Sequence, residues 1–250
     1  MDKIKPPYHY RSWIDDNERT AHEIVSVLFD FLHPASVVDF GCGLGNFIQE
    51  FEKKGVEKLL GVDGYWAQED PLFKIKNENA FLEADLSVYV QLNQRYDLAL
   101  CLEVAEHLPP SAAGNLITTL THASDRIVFS AAPPGQGGMN HVNEQWMDYW
   151  EEKFAQRDFI VHDILRPAFW NNEKIFWWYR QNMYFVAHKN VEVDRKALRG
   201  GGGKMHYLHP AILETRNAEM EKLQSGEEGL TVYLKMLRRA IMNKFRKRNR

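Results

Sequence analysis

The stretch that decides the fold reads Val37-Val38-Asp39-Phe40-Gly41-Cys42-Gly43-Leu44-Gly45-Asn46-Phe47. An apolar run typical of a buried strand leads into three alternating glycines, and a segment with helical spacing follows. Glycine adopts positive φ angles without strain and lets the backbone approach a ligand closely. The stretch therefore predicts a nucleoside-binding turn at the mouth of a parallel sheet. Its glycine spacing differs from the dinucleotide fingerprint G-x-G-x-x-G, and it lacks the Gly-Lys-Ser/Thr ending of a phosphate loop.

Apolar, strand-like runs alternate with segments of helical length on both sides of this turn. The predicted strands are residues 35–40, 58–63, 80–83, 96–101 and 126–130, and the predicted helices are residues 19–32, 45–54, 111–123 and 143–154. This alternation predicts an α/β fold, in which a doubly wound, mostly parallel sheet is covered by helices on both faces. Two later runs, residues 159–164 and 183–188, have no long helix between them, so we expect an antiparallel pair at the sheet edge.

The composition is that of a globular protein. Of the 250 residues, 44% are hydrophobic and 26% are charged, which excludes a collagen-like, disordered or coiled-coil chain. No apolar run approaches the roughly 18 residues that span a bilayer, and the first residues lack the apolar core of a secretory signal. The two cysteines, Cys42 and Cys101, cannot build a disulfide framework and fit a reducing compartment. We therefore expect a cytoplasmic protein.

Charge is distributed unevenly along the chain. The net charge is −3, but residues 235–250 hold eight basic side chains and no acid, which leaves −11 on residues 1–234. Broad nucleic-acid binding usually needs a basic face, so the acidic body argues against nucleic acid as a general partner.

Four consecutive glycines at positions 200–203 predict a flexible break. We accordingly divide the chain into a main α/β domain (1–199), a glycine linker (200–204) and a helical, basic C-terminal extension (205–250). The extension is expected to contain helices at 209–224 and 230–247. The second helix mixes apolar and basic side chains, so two interpretations remain open. It lies on an anionic membrane at the inner face, or it packs on the body or on the partner of a homodimer.

Acidic side chains follow three of the predicted strands. Asp63 closes the second strand, 22 residues after Gly41, where a carboxylate can accept hydrogen bonds from both hydroxyls of a ribose. Asp85 comes just past the third strand and can receive an adenine amino group. The segment 103–107 follows the fourth strand and adds two carboxylates and a histidine. The plainer interpretation of Glu106 and His107 is that they begin the next helix and serve packing or capping.

Taken together, these motifs resemble the class I S-adenosylmethionine-dependent methyltransferases. The resemblance covers about residues 17–190 and rests on Val38-Asp39-Phe40-Gly41-Cys42-Gly43-Leu44-Gly45, Gly61-Val62-Asp63, Ala84-Asp85-Leu86 and Glu103-Val104-Ala105-Glu106-His107-Leu108. It implies a Rossmann-like sheet of seven strands with the last strand antiparallel. It also implies S-adenosyl-L-methionine (SAM) as the cofactor and S-adenosyl-L-homocysteine (SAH) as its product.

The resemblance assigns a set of cofactor-binding residues. They are Asp39, Phe40, Gly41, Cys42, Gly43, Asp63, Gly64, Asp85, Leu86 and Glu103. Asp39, Gly41 and Gly43 would surround the methionine portion, and Glu103 would lie on the sulfonium side of the cleft. The acidic ligand set of the metal-dependent O-methyltransferases has no counterpart here, so no metal is expected.

A long loop rich in proline and glycine follows the fifth strand, at residues 130–146, and carries His141 between Asn140 and Asn143. Methyl transfer is an in-line displacement at a carbon that the sulfonium already activates, so it requires no covalent enzyme intermediate. A hydroxyl acceptor benefits from a base, and histidine is the common choice near neutral pH. We hypothesise that His141 is that base or orients the acceptor. The alternative is that His141 only ties down its own loop.

An aromatic segment precedes the last predicted strand, and five of the seven tryptophans lie between Trp146 and Trp178. Such rings form either an aromatic core that holds the last two strands or a wall for a substrate. The substrate-side candidates are Trp170, Asn171, Trp178, Tyr179, Arg180, Gln181 and Asn182.

The loop Pro134-Gly135-Gln136-Gly137-Gly138-Met139-Asn140-His141-Val142-Asn143-Glu144-Gln145 and this aromatic segment resemble a narrower group. These are bacterial methyltransferases of surface-polysaccharide and lipopolysaccharide gene clusters. The resemblance implies O-methylation of a sugar hydroxyl in a surface glycan or an activated sugar. Two alternatives stay open: a methyltransferase acting on a natural product or tRNA, and a SAM-binding partner subunit without activity.

Overall fold

The computed structural model describes residues 14–194 and 210–248. The chain divides into two compact units, Met1–Tyr207 and Leu208–Arg250. In the first unit, the described strands are β1 (Ser36–Phe40), β2 (Lys58–Asp63), β3 (Phe81–Glu83), β4 (Leu98–Leu102), β5 (Arg126–Ser130), β6 (Phe159–His162) and β7 (Tyr184–His188). Its described helices are α1 (Ile14–Leu32), α2 (Asn46–Lys53), α3 (Tyr65–Glu69), α4 (Ala113–Ala123), α5 (Met147–Ala155), α6 (Leu165–Phe169) and α7 (Trp177–Asn182).

The strands form one seven-stranded sheet in the order β3-β2-β1-β4-β5-β7-β6. Neighbours from β3 to β5 are parallel, with Val38 of β1 opposite Leu60 of β2 and Ala99 of β4. Strand β7 runs antiparallel to both β5 and β6. The predicted α/β fold, its antiparallel last strand and the antiparallel pair at the edge are therefore confirmed.

Both faces of the sheet are buried, because adjacent residues of a strand point to opposite sides. Val38 and the aromatic rings of Phe129 and Trp150 belong to a core on one face, under α4 and α5. Val37 belongs to the core on the other face, where Leu28 of α1 packs. All five residues of β1 and of β4 are buried, as is typical of central parallel strands.

Two helices begin later than the sequence predicts. A 3₁₀ turn over Pro110–Ala112 precedes α4. The predicted helix at 143–154 starts at Met147, because backbone N–H groups before it donate to carbonyls of other segments. The backbone N–H of Asn143 donates to the carbonyl of Glu106, and that of Gln145 donates to the carbonyl of Ala132. These bonds hold the loop extended until Trp146.

The second unit contains two described helices, α8 (Pro210–Ser225) and α9 (Leu230–Arg248). Tyr233 of α9 donates its hydroxyl to the carbonyls of Lys222 and Leu223 at 3.1 Å, which closes the hairpin between the two helices. The predicted glycine linker (200–204) lies outside the described residues. Within the described parts of the chain, no helix combines the length and the apolarity needed to cross a membrane.

Candidate active site

A cavity of about 270 Å³ opens at the carboxyl ends of β1, β2 and β4. This edge is where open α/β sheets bind their ligands. Nine of the residues that the sequence assigns to the cofactor line this cavity: Asp39, Gly41, Cys42, Gly43, Asp63, Gly64, Asp85, Leu86 and Glu103. Phe40 is the exception, because its side chain is fully buried in the core with Val62 and Phe129.

The glycine turn has a backbone that other residues do not tolerate. Gly41 has a φ of 78°, and a Cβ at this position would lie 2.3 Å from a side-chain methyl of Val104. The backbone N–H of Gly41 donates to the carbonyl of Val62 at 2.7 Å, which joins the turn to β2. The positive φ and the close approach together explain why glycine is needed at this point of the chain.

Asp39 is the buried acid of the cavity. Its side chain is 2% exposed, and among the described residues its Oδ2 atom finds no hydrogen-bond partner. Burial raises the pKa of Asp39 to about 8, and the neighbouring charge of Asp63 adds to the rise. A buried carboxyl in this state is stabilised by a cationic ligand.

Asp63 fastens the end of β2 to the glycine turn. One carboxylate oxygen accepts the backbone N–H of Gly43 at 2.8 Å, and the other accepts that of Gly64 at 2.7 Å. Burial raises the pKa of Asp63, and these two hydrogen bonds oppose the rise. Each carboxylate oxygen has a second lone pair, so Asp63 can still accept hydrogen bonds from the two hydroxyls of a ribose. Trp66, which the sequence analysis did not assign, also lines the cavity here.

Glu103 is held in a strained position at the end of β4. Its φ is 55°, which is uncommon for a residue with a side chain. The carboxylate accepts hydrogen bonds from the amides of Asn182 and Gln136, both at 3.1 Å, and the backbone N–H donates to the hydroxyl of Ser130. Burial raises the pKa of Glu103, while the two amides and Ser130 oppose the rise. Asn182, assigned to the substrate from sequence, therefore contacts Glu103.

The loop after β5 is organised by Glu144. Its carboxylate accepts the backbone N–H groups of Gly135 and Gly137 at 2.8 and 2.7 Å, and it lies 2.9 Å from Nδ1 of His141. Burial raises the pKa of Glu144, but these three hydrogen bonds outweigh it and hold the pKa below its usual value. Sequence reasoning missed Glu144; the available signal was an acid three residues after the histidine of a glycine-rich loop.

His141 contacts His107, which lines the cavity. The two imidazole rings meet edge to face, with centroids 4.8 Å apart and an interplanar angle of 81°. His107 lines the cavity, whereas His141 lies behind it with 11% of its side chain exposed. Burial lowers the pKa of His107 to about 4, and His141 adds to this effect, so His107 is neutral near pH 7.

The predicted aromatic wall is divided by the structure. Helix α7 is only six residues long, so its side chains project in several directions. Tyr179 lines the cavity, and burial, followed by the charge of Glu103, raises its pKa. Trp178 stacks on Phe176, with centroids 4.2 Å apart.

The other substrate candidates lie away from this cavity. Arg180 donates to the carbonyl of Trp170 at 3.1 Å, Asn171 is exposed, and Gln181 is buried beside a small separate pocket. Arg180 and Trp170 thus contact each other, as expected if the aromatic segment forms a core that holds the last two strands.

A family model described as a methyltransferase domain matches residues 10–183. The chain belongs to this family. Methyltransferase domains of this family take the methyl group from SAM. The expected assignment to the class I SAM-dependent methyltransferases is confirmed.

One relative of this methyltransferase domain is the magnesium-protoporphyrin O-methyltransferase of Synechocystis sp. (strain PCC 6803). It is 32% identical over 110 residues, which are 40% of this chain and 46% of the relative. The matched segment thus spans less than half the length of that relative.

Two solved structures are also similar to the methyltransferase domain. Magnesium protoporphyrin IX methyltransferase from Synechocystis PCC 6803, crystallised with SAM, is 19% identical, covers 70% of this chain and 80% of its own, and has a TM-score of 0.49. DesVI of Streptomyces venezuelae is 10% identical, covers 72% of this chain and 99% of its own, and has a TM-score of 0.51. The DesVI match shows a shared fold.

Proposed function

We propose that the protein transfers a methyl group from SAM to a hydroxyl oxygen of a small acceptor, and that this acceptor is a sugar of a surface glycan or an activated sugar. The observation that carries the proposal is the pair formed by His141 and Glu144, which lies behind His107, a residue that lines the donor cavity. Because Glu144 engages Nδ1 of His141, the opposite nitrogen is the one that can take a proton from a hydroxyl.

The donor site follows from the residues that line the cavity. Asp39 would balance the ammonium group of the methionine portion, Asp63 would bind the ribose, and Asp85 with Leu86 would lie against the adenine. When bound, SAM supplies a methyl group on a sulfonium, which is already activated for displacement. Isothermal titration of the full chain with SAM and with SAH tests this site. If neither ligand binds, the proposal is wrong.

The acceptor side combines orientation with base catalysis. Glu103, whose carboxylate accepts hydrogen bonds from Asn182 and Gln136, lines the donor cavity together with Tyr179. Holding acceptor and methyl in line supplies about 7–11 kcal/mol of the barrier reduction. A positioned base adds about a hundred- to ten-thousand-fold in rate. His141 is the candidate for that base, acting from the His107 side of the cavity.

A sugar acceptor is supported by the surroundings of the loop after β5. Trp146, Met139 and Val142 are exposed large side chains of this loop. Such rings and apolar groups suit the C–H faces of a sugar, and the loop resembles that of methyltransferases from surface-polysaccharide clusters. The net charge of −11 on residues 1–234 disfavours nucleic acid.

A second candidate acceptor is a natural product. The relative from Synechocystis is named an O-methyltransferase of magnesium-protoporphyrin, which supports oxygen as the methylated atom and a ring-shaped acceptor as the competing substrate. A transfer assay with labelled SAM across nucleotide sugars, glycans and magnesium-protoporphyrin separates the two candidates. A labelled methyl ether on a sugar favours the first, and label on magnesium-protoporphyrin alone favours the second.

We also propose that α9 holds the enzyme at the cytoplasmic face of a membrane. Leu234, Leu237 and Ile241 are exposed and recur at helical spacing, and Lys235, Arg238 and Arg239 lie among them. An amphipathic helix of this kind binds anionic lipid surfaces through both its apolar and its basic side chains. A homodimer formed through the same apolar face is the competing outcome.

A further inference from the structure

Three side chains of types that bind metals form a cluster beside the donor cavity, which one of them, His107, lines. Glu106, His107 and His141 each offer one ligand atom, and these atoms lie within 4.8 Å of one another. Neighbouring ligands of one ion are about 3.0–3.4 Å apart when each bond is about 2.1 Å long. Side-chain movements that close the widest gap by about 1.4–1.8 Å would therefore bring all three atoms into one coordination shell.

Glu106 is an acidic residue whose side chain is buried. Its side chain is 1% exposed, and among the described residues no cationic side chain pairs with its carboxyl group. A buried carboxylate is costly unless it is paired with a cation or coordinates a metal. The main chain of Glu106 is firmly placed, because its carbonyl accepts the N–H groups of Val142 and Asn143.

The two imidazoles have the supporting contacts that metal-binding histidines require. Such histidines usually donate the second ring N–H to a carboxylate or a backbone carbonyl, which fixes the tautomer and the ring orientation. Nδ1 of His141 lies 2.9 Å from the Glu144 carboxylate, which leaves Nε2 for an ion. His107 makes its hydrogen bond with the backbone of Asn140. The edge-to-face contact of the rings keeps the two residues together.

We propose that Glu106, His107 and His141 bind a divalent first-row transition-metal ion, such as Mn²⁺, Fe²⁺, Co²⁺ or Zn²⁺, beside the donor cavity. Two histidines and one carboxylate on one face of an ion leave its other positions open to water or substrate oxygen. The expectation of no metal rested on the missing acidic ligand set of the metal-dependent O-methyltransferases, whereas this set pairs one acid with two imidazoles 34 residues apart.

The role of the ion rests on the proposed function. His107 lines the cavity, so the open coordination positions border the place where a hydroxyl acceptor meets the methyl group. A metal-bound hydroxyl loses its proton more readily, and the ion also holds the oxygen in line. In the metal-loaded enzyme, His141 would orient the acceptor through the ion, and the proton of the acceptor hydroxyl would pass to solvent water. In a metal-free enzyme, His141 is itself the base.

The test is a titration of the full chain, stripped with chelator, with Co²⁺ followed by visible absorption and with Zn²⁺ as competitor. We expect one equivalent bound per chain, with a d–d spectrum that Zn²⁺ abolishes. His107→Gln and His141→Asn should each lower Co²⁺ affinity at least tenfold, and Glu144→Gln about 10- to 100-fold. His122→Gln, an exposed-helix histidine that contacts Tyr89, is the matched control and should bind like the wild type.

Titration with SAM separates loss of the metal site from loss of the fold. His141→Asn, Glu144→Gln and His122→Gln should retain donor affinity within a few-fold, because these side chains do not line the donor cavity. No stoichiometric Co²⁺ binding, or equal affinity in all four variants, overturns the metal site. Methyl transfer that persists without metal then leaves the proposed function intact. Conversely, tight Co²⁺ binding with no hydroxyl methylated in any acceptor keeps the metal site and overturns the proposed function.

Discussion

The carboxylate of Glu144 lies 2.9 Å from Nδ1 of His141 and at the same time accepts the backbone N–H groups of Gly135 and Gly137. One side chain thus sets both the shape of the loop after β5 and the orientation of its histidine. A Cβ on Gly138 would lie 2.3 Å from Nε2 of His141, so the backbone of the loop also packs closely on the ring. The imidazole of His141 is therefore fixed from two sides.

Replacing Glu144 with glutamine tests this relationship. Glu144→Gln keeps the size of the side chain but removes its charge, so the His141 tautomer is no longer fixed. We expect turnover to fall about tenfold or more, within the range of a lost general base, with donor affinity unchanged. Steady-state kinetics with calorimetric titration of SAM measure both. Glu152→Gln, an exposed position of α5, is the control, and equal turnover in the two variants would contradict the role of Glu144.

Two glycine-to-alanine changes should have opposite effects on stability. Gly41→Ala places a Cβ 2.3 Å from Val104 at a φ of 78°, so we expect destabilisation and loss of SAM binding. Gly114→Ala lies in α4, where nothing lies within 4 Å of the new Cβ, and should stabilise by about 0.5–1 kcal/mol. Urea unfolding compares the two variants. A Gly41→Ala protein with native stability and donor affinity would refute the close approach at the turn.

The raised pKa of Asp39 gives the ligand-free protein a defined pH dependence. The folded state binds more protons than the unfolded state between pH ~4 and about 8, so stability falls as pH rises through this window. Asp39→Asn removes the dependence and should flatten the slope by up to about 1.4 kcal/mol per pH unit. Asp158→Asn, at an exposed position, should retain the wild-type slope. Denaturation curves at several pH values measure it, and parallel slopes for all three proteins would exclude a neutral buried Asp39.

Helix α9 provides a test of membrane contact. Leu237→Glu combined with Ile241→Glu places two charges on the exposed apolar face, so we expect at least a tenfold loss of sedimentation with anionic vesicles. Met236→Glu changes a residue on the opposite side of the helix and should bind like the wild type. A different outcome is that none of the proteins binds vesicles and the double variant converts a dimer to a monomer. In that case the homodimer interpretation of α9 replaces the membrane interpretation.

The fold was accessible from the sequence because its signals are local. The bounds of β2 and β5 match the predicted strands, and the acids Asp63 and Asp85 fall at strand ends that a parallel sheet brings to one edge. Contacts between distant segments were not accessible. No sequence signal near Glu106 indicates that its carbonyl accepts the backbone N–H of Asn143. Because of this hydrogen bond, α5 begins four residues later than the sequence predicts. The aromatic segment likewise carries no signal that tells Tyr179 at the cavity from Trp178 packed on Phe176.

The most direct measurement of the central claim is the transfer of an isotope-labelled methyl group from SAM to sugar acceptors, with the product atom identified by NMR. We expect an O-methyl product in the wild type and in the control His122→Ala. In His141→Ala, turnover should be about a hundred- to ten-thousand-fold lower, with SAM affinity within twofold of the wild type. Label on nitrogen, absence of any methylated hydroxyl, or near-native turnover in His141→Ala would contradict the account.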